Sequence, residues 1–124
     1  MAIRVTASQA KAMGFKASKP KAAGMNRTER KYADILTIQQ KSGQIRGFQF
    51  EARKFRIGPE GERCWYTPDF IVVLPDGREE VHEVKGGFIR DDARVKLLAC
   101  ANAHPWIRFK LAVFKEGSFS VREI

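Results

Sequence analysis

The sequence predicts one mixed α/β (α+β) domain in the order helix, three strands, helix, strand, strand. Three observations lead there. Residues 26–40 and 91–103 carry apolar side chains at helical spacing between cap-like ends. Residues 66–87 hold two runs rich in β-branched and aromatic residues, 70–74 and 81–84, on either side of Pro75-Asp76-Gly77, which is turn chemistry. The second helix lies between two strands, a step that favours a right-handed crossover and a mixed sheet with helices on its faces.

The chain has 124 residues, enough for one domain with one core. Nine Phe and two Trp supply large apolar side chains, and no apolar stretch approaches membrane-spanning length. The N-terminus has no apolar region of the secretory type. Cys64 and Cys100, with only His82 and His104 beside them, make neither a disulfide framework nor zinc-ligand spacing, so reduced thiols in a cytoplasmic protein are expected. The net charge of +9 is uneven: residues 1–31 carry a net +7. A basic segment on a near-neutral body points to a polyanion, nucleic acid first, with a solvated solubility tail as the competing reading.

Residues 1–24, rich in Ala, Lys and Ser, are expected to form a flexible basic arm, with residues 25–124 forming the domain. A short helix fits residues 6–13. Lys16, Lys19 and Lys21 in the arm, with Arg27 and Arg30 beyond it, are candidate phosphate contacts. Asn26 is a good N-cap for the first helix, and Ser42-Gly43 a stop. Met25, Tyr32, Ala33 and Leu36 give its apolar stripe. Glu29 lies on that stripe, yet Asn26 and Glu29 also have capping-box spacing, which gives Glu29 a purely local role.

Residues 45–57 read as one strand or two short ones. Phe48, Phe50 and Ala52 alternate, then Phe55 and Ile57 shift parity, which predicts a bulge near Arg53-Lys54. Residues 59–62 read as a turn. Trp65 and Tyr66 lead into the hairpin as core or rim residues, with a base-stacking platform as the competing reading. After the hairpin, Asp91 or Asp92 would cap the second helix, with Val95, Leu98, Ala99 and Asn102 inward. Arg90, Arg94 and Lys96 form a basic cluster near its start, fit to hold a phosphate or simply to face solvent. His104-Pro105 ends the helix. Residues 107–114 alternate as a half-buried strand, Lys115 to Ser118 turn the chain, and residues 119–124 return as an edge strand.

The hairpin holds the chemistry. If its turn centres on Asp76, Asp69 lies opposite Glu83, and Lys85 shares the Glu83 face, with His82 on the other. Two carboxylates and an ammonium then converge among apolar residues. Facing carboxylates repel, and a divalent cation between them reverses that interaction. Oxygen ligands suit Mg2+, with Mn2+ as a substitute. A cross-strand salt bridge from Lys85 is the simpler alternative.

Pro68-Asp69 followed by Glu83-Val84-Lys85 resembles the signature of the PD-(D/E)XK nuclease superfamily. Tyr66-Thr67-Pro68-Asp69-Phe70 and His82-Glu83-Val84-Lys85-Gly86-Gly87 are similar to a group of small phage proteins and to phage endonuclease I-type Holliday-junction resolvases. The resemblance spans residues 26–114. It implies a restriction-endonuclease-like core, and a Mg2+-dependent DNA endonuclease of phage or prophage origin, acting in the bacterial cytoplasm. It also implies Asp69, Glu83 and the Val84 carbonyl as metal ligands, and Lys85 as the group that orients or deprotonates the attacking water. Glu29 matches a helix acid that reaches the metal, with Glu51 the competing third carboxylate. Branched DNA and a homodimer follow by analogy. A nuclease acting on ends, nicks or ordinary duplex, and a non-catalytic nucleic-acid-binding protein on the same fold, are the alternatives. No base-reading motif is present.

Overall fold

In the computed structural model, residues 24–57, 65–87 and 89–124 are described. The arm and its lysines Lys16, Lys19 and Lys21, the 59–62 turn, and Cys64 lie outside them. The elements are α1 (Arg27–Lys41), β1 (Gly47–Phe50), β2 (Phe55–Arg56), β3 (Trp65–Tyr66), β4 (Phe70–Val73), β5 (Glu79–Gly86), α2 (Asp91–Ala103), β6 (Arg108–Lys115) and β7 (Ser118–Glu123). Five strands form one mixed sheet in the order β1-β4-β5-β6-β7, with β5 and β6 parallel and the other pairs antiparallel. β2 and β3 make a separate antiparallel ribbon. The predicted α/β class and the C-terminal edge strand are both present.

α1 begins at Asn26 with a reciprocal capping box: the Glu29 N–H donates to Asn26 Oδ1 and the Asn26 N–H to Glu29 Oε1, each at 2.8 Å. Ser42 is its C-cap, and Gly43 follows at φ 82°. Tyr32, Ala33 and Leu36 pack on one sheet face against Phe70, Val72, Val84 and Ala112. Burying a ring such as Phe70 contributes about 1.5–3 kcal/mol. The opposite face takes α2, whose Leu97 and Cys100 meet Ile71, Val81, Phe109 and Leu111, with Phe55 and Tyr66 from the ribbon. β4 is buried on both faces, which explains its unbroken apolar run.

Three expectations need correction. α2 is rotated from the predicted setting: Leu97 and Cys100 face inward, while Val95, Leu98 and Asn102 are exposed. Its N-cap is Arg90, with no side-chain cap bond, and the Asp92 carboxylate instead accepts from the Ala93 N–H. The parity shift after Phe50 is a strand break, not a bulge. Glu51 sits in the left-handed region at φ 47°, and β2 then joins a different sheet.

The Lys115–Ser118 turn carries Glu116 at φ 53° and Gly117 at φ 83°, both left-handed. Glu is a poor occupant there. Glu116→Asn is expected to stabilise the domain by about 0.5–1 kcal/mol, read as a higher urea midpoint at unchanged slope.

Candidate active site

The β4–β5 hairpin turns as expected. The Leu74 N–H donates to the Arg78 carbonyl at 2.8 Å, and the Gly77 N–H to the Leu74 carbonyl at 2.9 Å, with Gly77 at φ 92°. Strand pairs such as Phe70 with His82 and Val73 with Glu79 are symmetric about Asp76. One step further out, Asp69 faces Glu83.

The ladder stops there for a covalent reason. The same register would set Pro68 opposite Val84, and Pro has no N–H to donate. That leaves the Val84 carbonyl without its ladder donor, while the Val84 N–H donates to Asp69 Oδ2 at 2.8 Å. The Asp69 N–H donates to Glu83 Oε1 at 3.1 Å, and the Tyr66 hydroxyl donates to Glu83 Oε2. Both carboxylates are therefore fixed by side-chain-to-backbone bonds where backbone pairing ends. Glu51 contributes its backbone only, its N–H donating to the Asp69 carbonyl at 2.8 Å.

α1 delivers the third acid. Glu29 is buried at the helix start, and its carboxyl reaches Asp69 while one oxygen remains in the capping box. The local and the site roles considered for Glu29 thus coexist in one geometry. Burial raises the Glu29 pKa, opposed by the Asn26 hydrogen bond, with the Asp69 charge raising it further and Lys85 lowering it. Asp69 is pushed up to about 8, first by burial and then by its contact with the Glu83 carboxyl and its charge. Lys85 is half-buried on the Glu83 side of β5 and forms no salt bridge among the described residues. Its electrostatic reach is to Glu29.

Two crowded carboxylates, with the charge of Asp69 disfavoured by burial and by its neighbour, are a chemical fit for a hard divalent cation, since Mg2+ needs only one or two carboxylates beside its waters. Asp69 and Glu83 would hold it, with the Val84 carbonyl beside the gap that Pro68 leaves. Among the described residues no three acidic, His or Cys side chains are drawn into one cation-holding cluster. The contacts run pairwise, Glu29 to Asp69 and Asp69 to Glu83.

Two groups of residues near the site escaped sequence reasoning. Tyr66 is a direct partner of Glu83, and burial with the Glu83 charge keeps its phenol protonated. Its place three residues before Asp69 was the available signal. On the other sheet face, His82 Nε2 lies 3.0 Å from Glu80 Oε1, and Nδ1 lies 2.6 Å from the Tyr32 hydroxyl. A carboxylate only accepts, so Nε2 carries a proton toward Glu80. Lys110 at 3.3 Å and Arg108 at 3.6 Å complete the setting of Glu80.

Arg27, Arg30, Arg90, Arg94 and Lys96 are all exposed. Arg53 forms a two-pronged ion pair with Glu79 at 2.8 and 2.6 Å. No helix among the described residues is long and apolar enough to cross a membrane. No protein-family model, curated protein or solved structure compared with the chain matches it.

Proposed function

We propose that the chain is a metal-dependent DNA endonuclease with a restriction-endonuclease-like core, selective for branched DNA and acting as a homodimer in the bacterial cytoplasm. The observation that carries this reading is the pair of contacts Glu29 to Asp69 and Asp69 to Glu83, with a half-buried Lys85 that forms no salt bridge among the described residues. A bound Mg2+ would supply Lewis acidity, a water of lowered pKa and a template for the phosphate. Asp69 and Glu83 would anchor the ion, and Glu29 would orient water from the helix side. Lys85 would orient or deprotonate the attacking water and offset charge developing on the phosphoryl oxygens. Tyr66 holds the Glu83 carboxylate in one rotamer by its hydrogen bond. Arg27, Arg30, Arg90, Arg94 and Lys96, with the arm lysines, would engage backbone phosphates, giving affinity that falls steeply with salt.

A cleavage assay tests the proposal, with Mg2+ or Mn2+, on a four-way junction, a nicked duplex and a plain duplex of equal length. Glu83→Ala is expected to lose on the order of 10³-fold or more in rate, and Lys85→Ala about 10²–10³-fold, with DNA affinity retained. Equal cutting of every substrate would remove the branched-DNA element. A Glu83→Ala protein that cuts at the wild-type rate would remove the site assignment. Binding without Glu83-dependent cutting would leave a nucleic-acid-binding protein on this fold.

A further inference from the structure

The β2–β3 ribbon has two unlike faces. Phe55 pairs with Tyr66, and both are buried. Arg56 pairs with Trp65, and both point to solvent. The Arg56 guanidinium lies 5.4 Å from the centre of the Trp65 ring. The Arg56 carbonyl is 2.9 Å from His104 Nε2, and the His104 ring meets the Trp106 ring edge-on at 5.4 Å. Trp65 thus stacks on the Arg56 guanidinium, and Trp106 packs on His104, which is held to the Arg56 carbonyl and also meets the buried Phe55 ring edge-on at 5.1 Å, so the two indoles flank the same β2 residue. Trp65 is 50% exposed and Trp106 is 74% exposed.

Leaving two indoles open forgoes some of the largest burial energies available to a domain of this size. The chemistry around them selects a partner. A guanidinium already stacks on one ring, Lys54 is exposed two residues away, and the chain carries a net +9. Open aromatic faces interleaved with cations match unpaired nucleobases on a phosphate backbone, because every base has a face that stacks and every linkage an anion. Paired bases in a duplex present neither face.

We propose that Trp65, Arg56 and Trp106 form a stacking platform for an unpaired, single-stranded DNA segment. Rather than burying Trp65 as core or rim, the ribbon presents it outward. Tyr66, the next residue along the same strand, turns inward to Glu83, so an unpaired strand on the platform lies across one thin ribbon from the carboxylates. The inference deepens the nuclease reading and rests on it for the branched substrate, since branched DNA with a flap or a single-stranded arm exposes unpaired bases. The binding itself is independent of cutting.

Trp65 and Trp106 are the only tryptophans in the chain, so indole fluorescence reports this surface alone. The full chain, in chelator, is titrated with an oligothymidine of about 15 nucleotides, a length chosen within the site sizes of such grooves, and with a duplex of equal length. Saturable quenching by the oligothymidine is expected. Trp65→Leu and Trp106→Leu should each weaken its binding by about tenfold, with duplex affinity unchanged, and Trp65→Phe should recover part of the loss. Binding without quenching, or variants that bind oligothymidine like wild type, would overturn the platform. So would self-association that is lost in Trp106→Leu while oligothymidine affinity holds, because the face then belongs to a second copy. Quenching in a protein that cuts no substrate would leave the platform standing and remove the nuclease reading. Cutting without quenching would do the reverse.

Discussion

Asp69→Asn is expected to raise the melting temperature of the metal-free protein at pH 7 while abolishing Mg2+-dependent cutting. In the unfolded chain Asp69 ionises near its ordinary value of 3.8, and in the folded protein near 8. Between those values the native state holds more protons, so its stability falls as pH rises through the window. Asn carries no charge and escapes that loss. It also keeps an acceptor for the Val84 N–H, which preserves the strand end. The gain at pH 7 should be on the order of 2 kcal/mol, or roughly 10 °C in a domain of this size. Melts in chelator at pH 4, 7 and 8.5 check the sign: the two proteins should nearly coincide at pH 4 and separate most at 8.5. Mg2+ should raise the wild-type midpoint and leave that of Asp69→Asn in place. An Asn variant no more stable than wild type at pH 7 would mean that the carboxylates are not in conflict.

His82→Ala is expected to cost about 3 kcal/mol, because it strips partners from both Tyr32 and Glu80 inside the sheet–helix seam. Burial alone would raise the Glu80 pKa, but the His82 hydrogen bond and the Lys110 charge outweigh it and hold the carboxyl below its usual value of 4.5. A depressed carboxyl stabilises the fold fully above its unfolded pKa and loses that contribution as pH falls through the folded one. Urea midpoints should therefore differ widely at pH 7 and converge below pH 4. Tyr32 lies one helical turn from Glu29, so a loosened α1 should slow cutting too. His82→Gln, which keeps a donor and an acceptor, should restore part of both. A loss under 1 kcal/mol would show that the seam is held by packing alone.

The hairpin was legible because its determinants are local. A Pro-Asp-Gly turn sets the register, and register plus alternation sets which residues face each other. The same holds for the Asn26–Glu29 cap. α2 was misjudged because Val95, Leu97, Leu98, Ala99, Cys100 and Ala101 are nearly all apolar, so spacing alone cannot choose the buried side. Leu97 and Cys100 win because the ribbon and β6 meet them there. Tyr66 and Trp65 had opposite fates for a similarly non-local reason: which one turns inward depends on pairing with Phe55 and Arg56 on the preceding strand. Sequence placed His82 only on the face opposite Glu83, and nothing in the chain near it or Glu80 announces Tyr32 overhead.

Glu29 ties the start of a helix to the acid cluster with a single side chain. The first turn is the part of a helix most prone to fraying, and each such opening withdraws the third carboxyl. Order at the helix start and completeness of the acid cluster are then one equilibrium observed at two places. Anything that draws Glu29 toward Asp69 slows amide exchange in the first turn of α1, and anything that frays that turn empties a corner of the cluster.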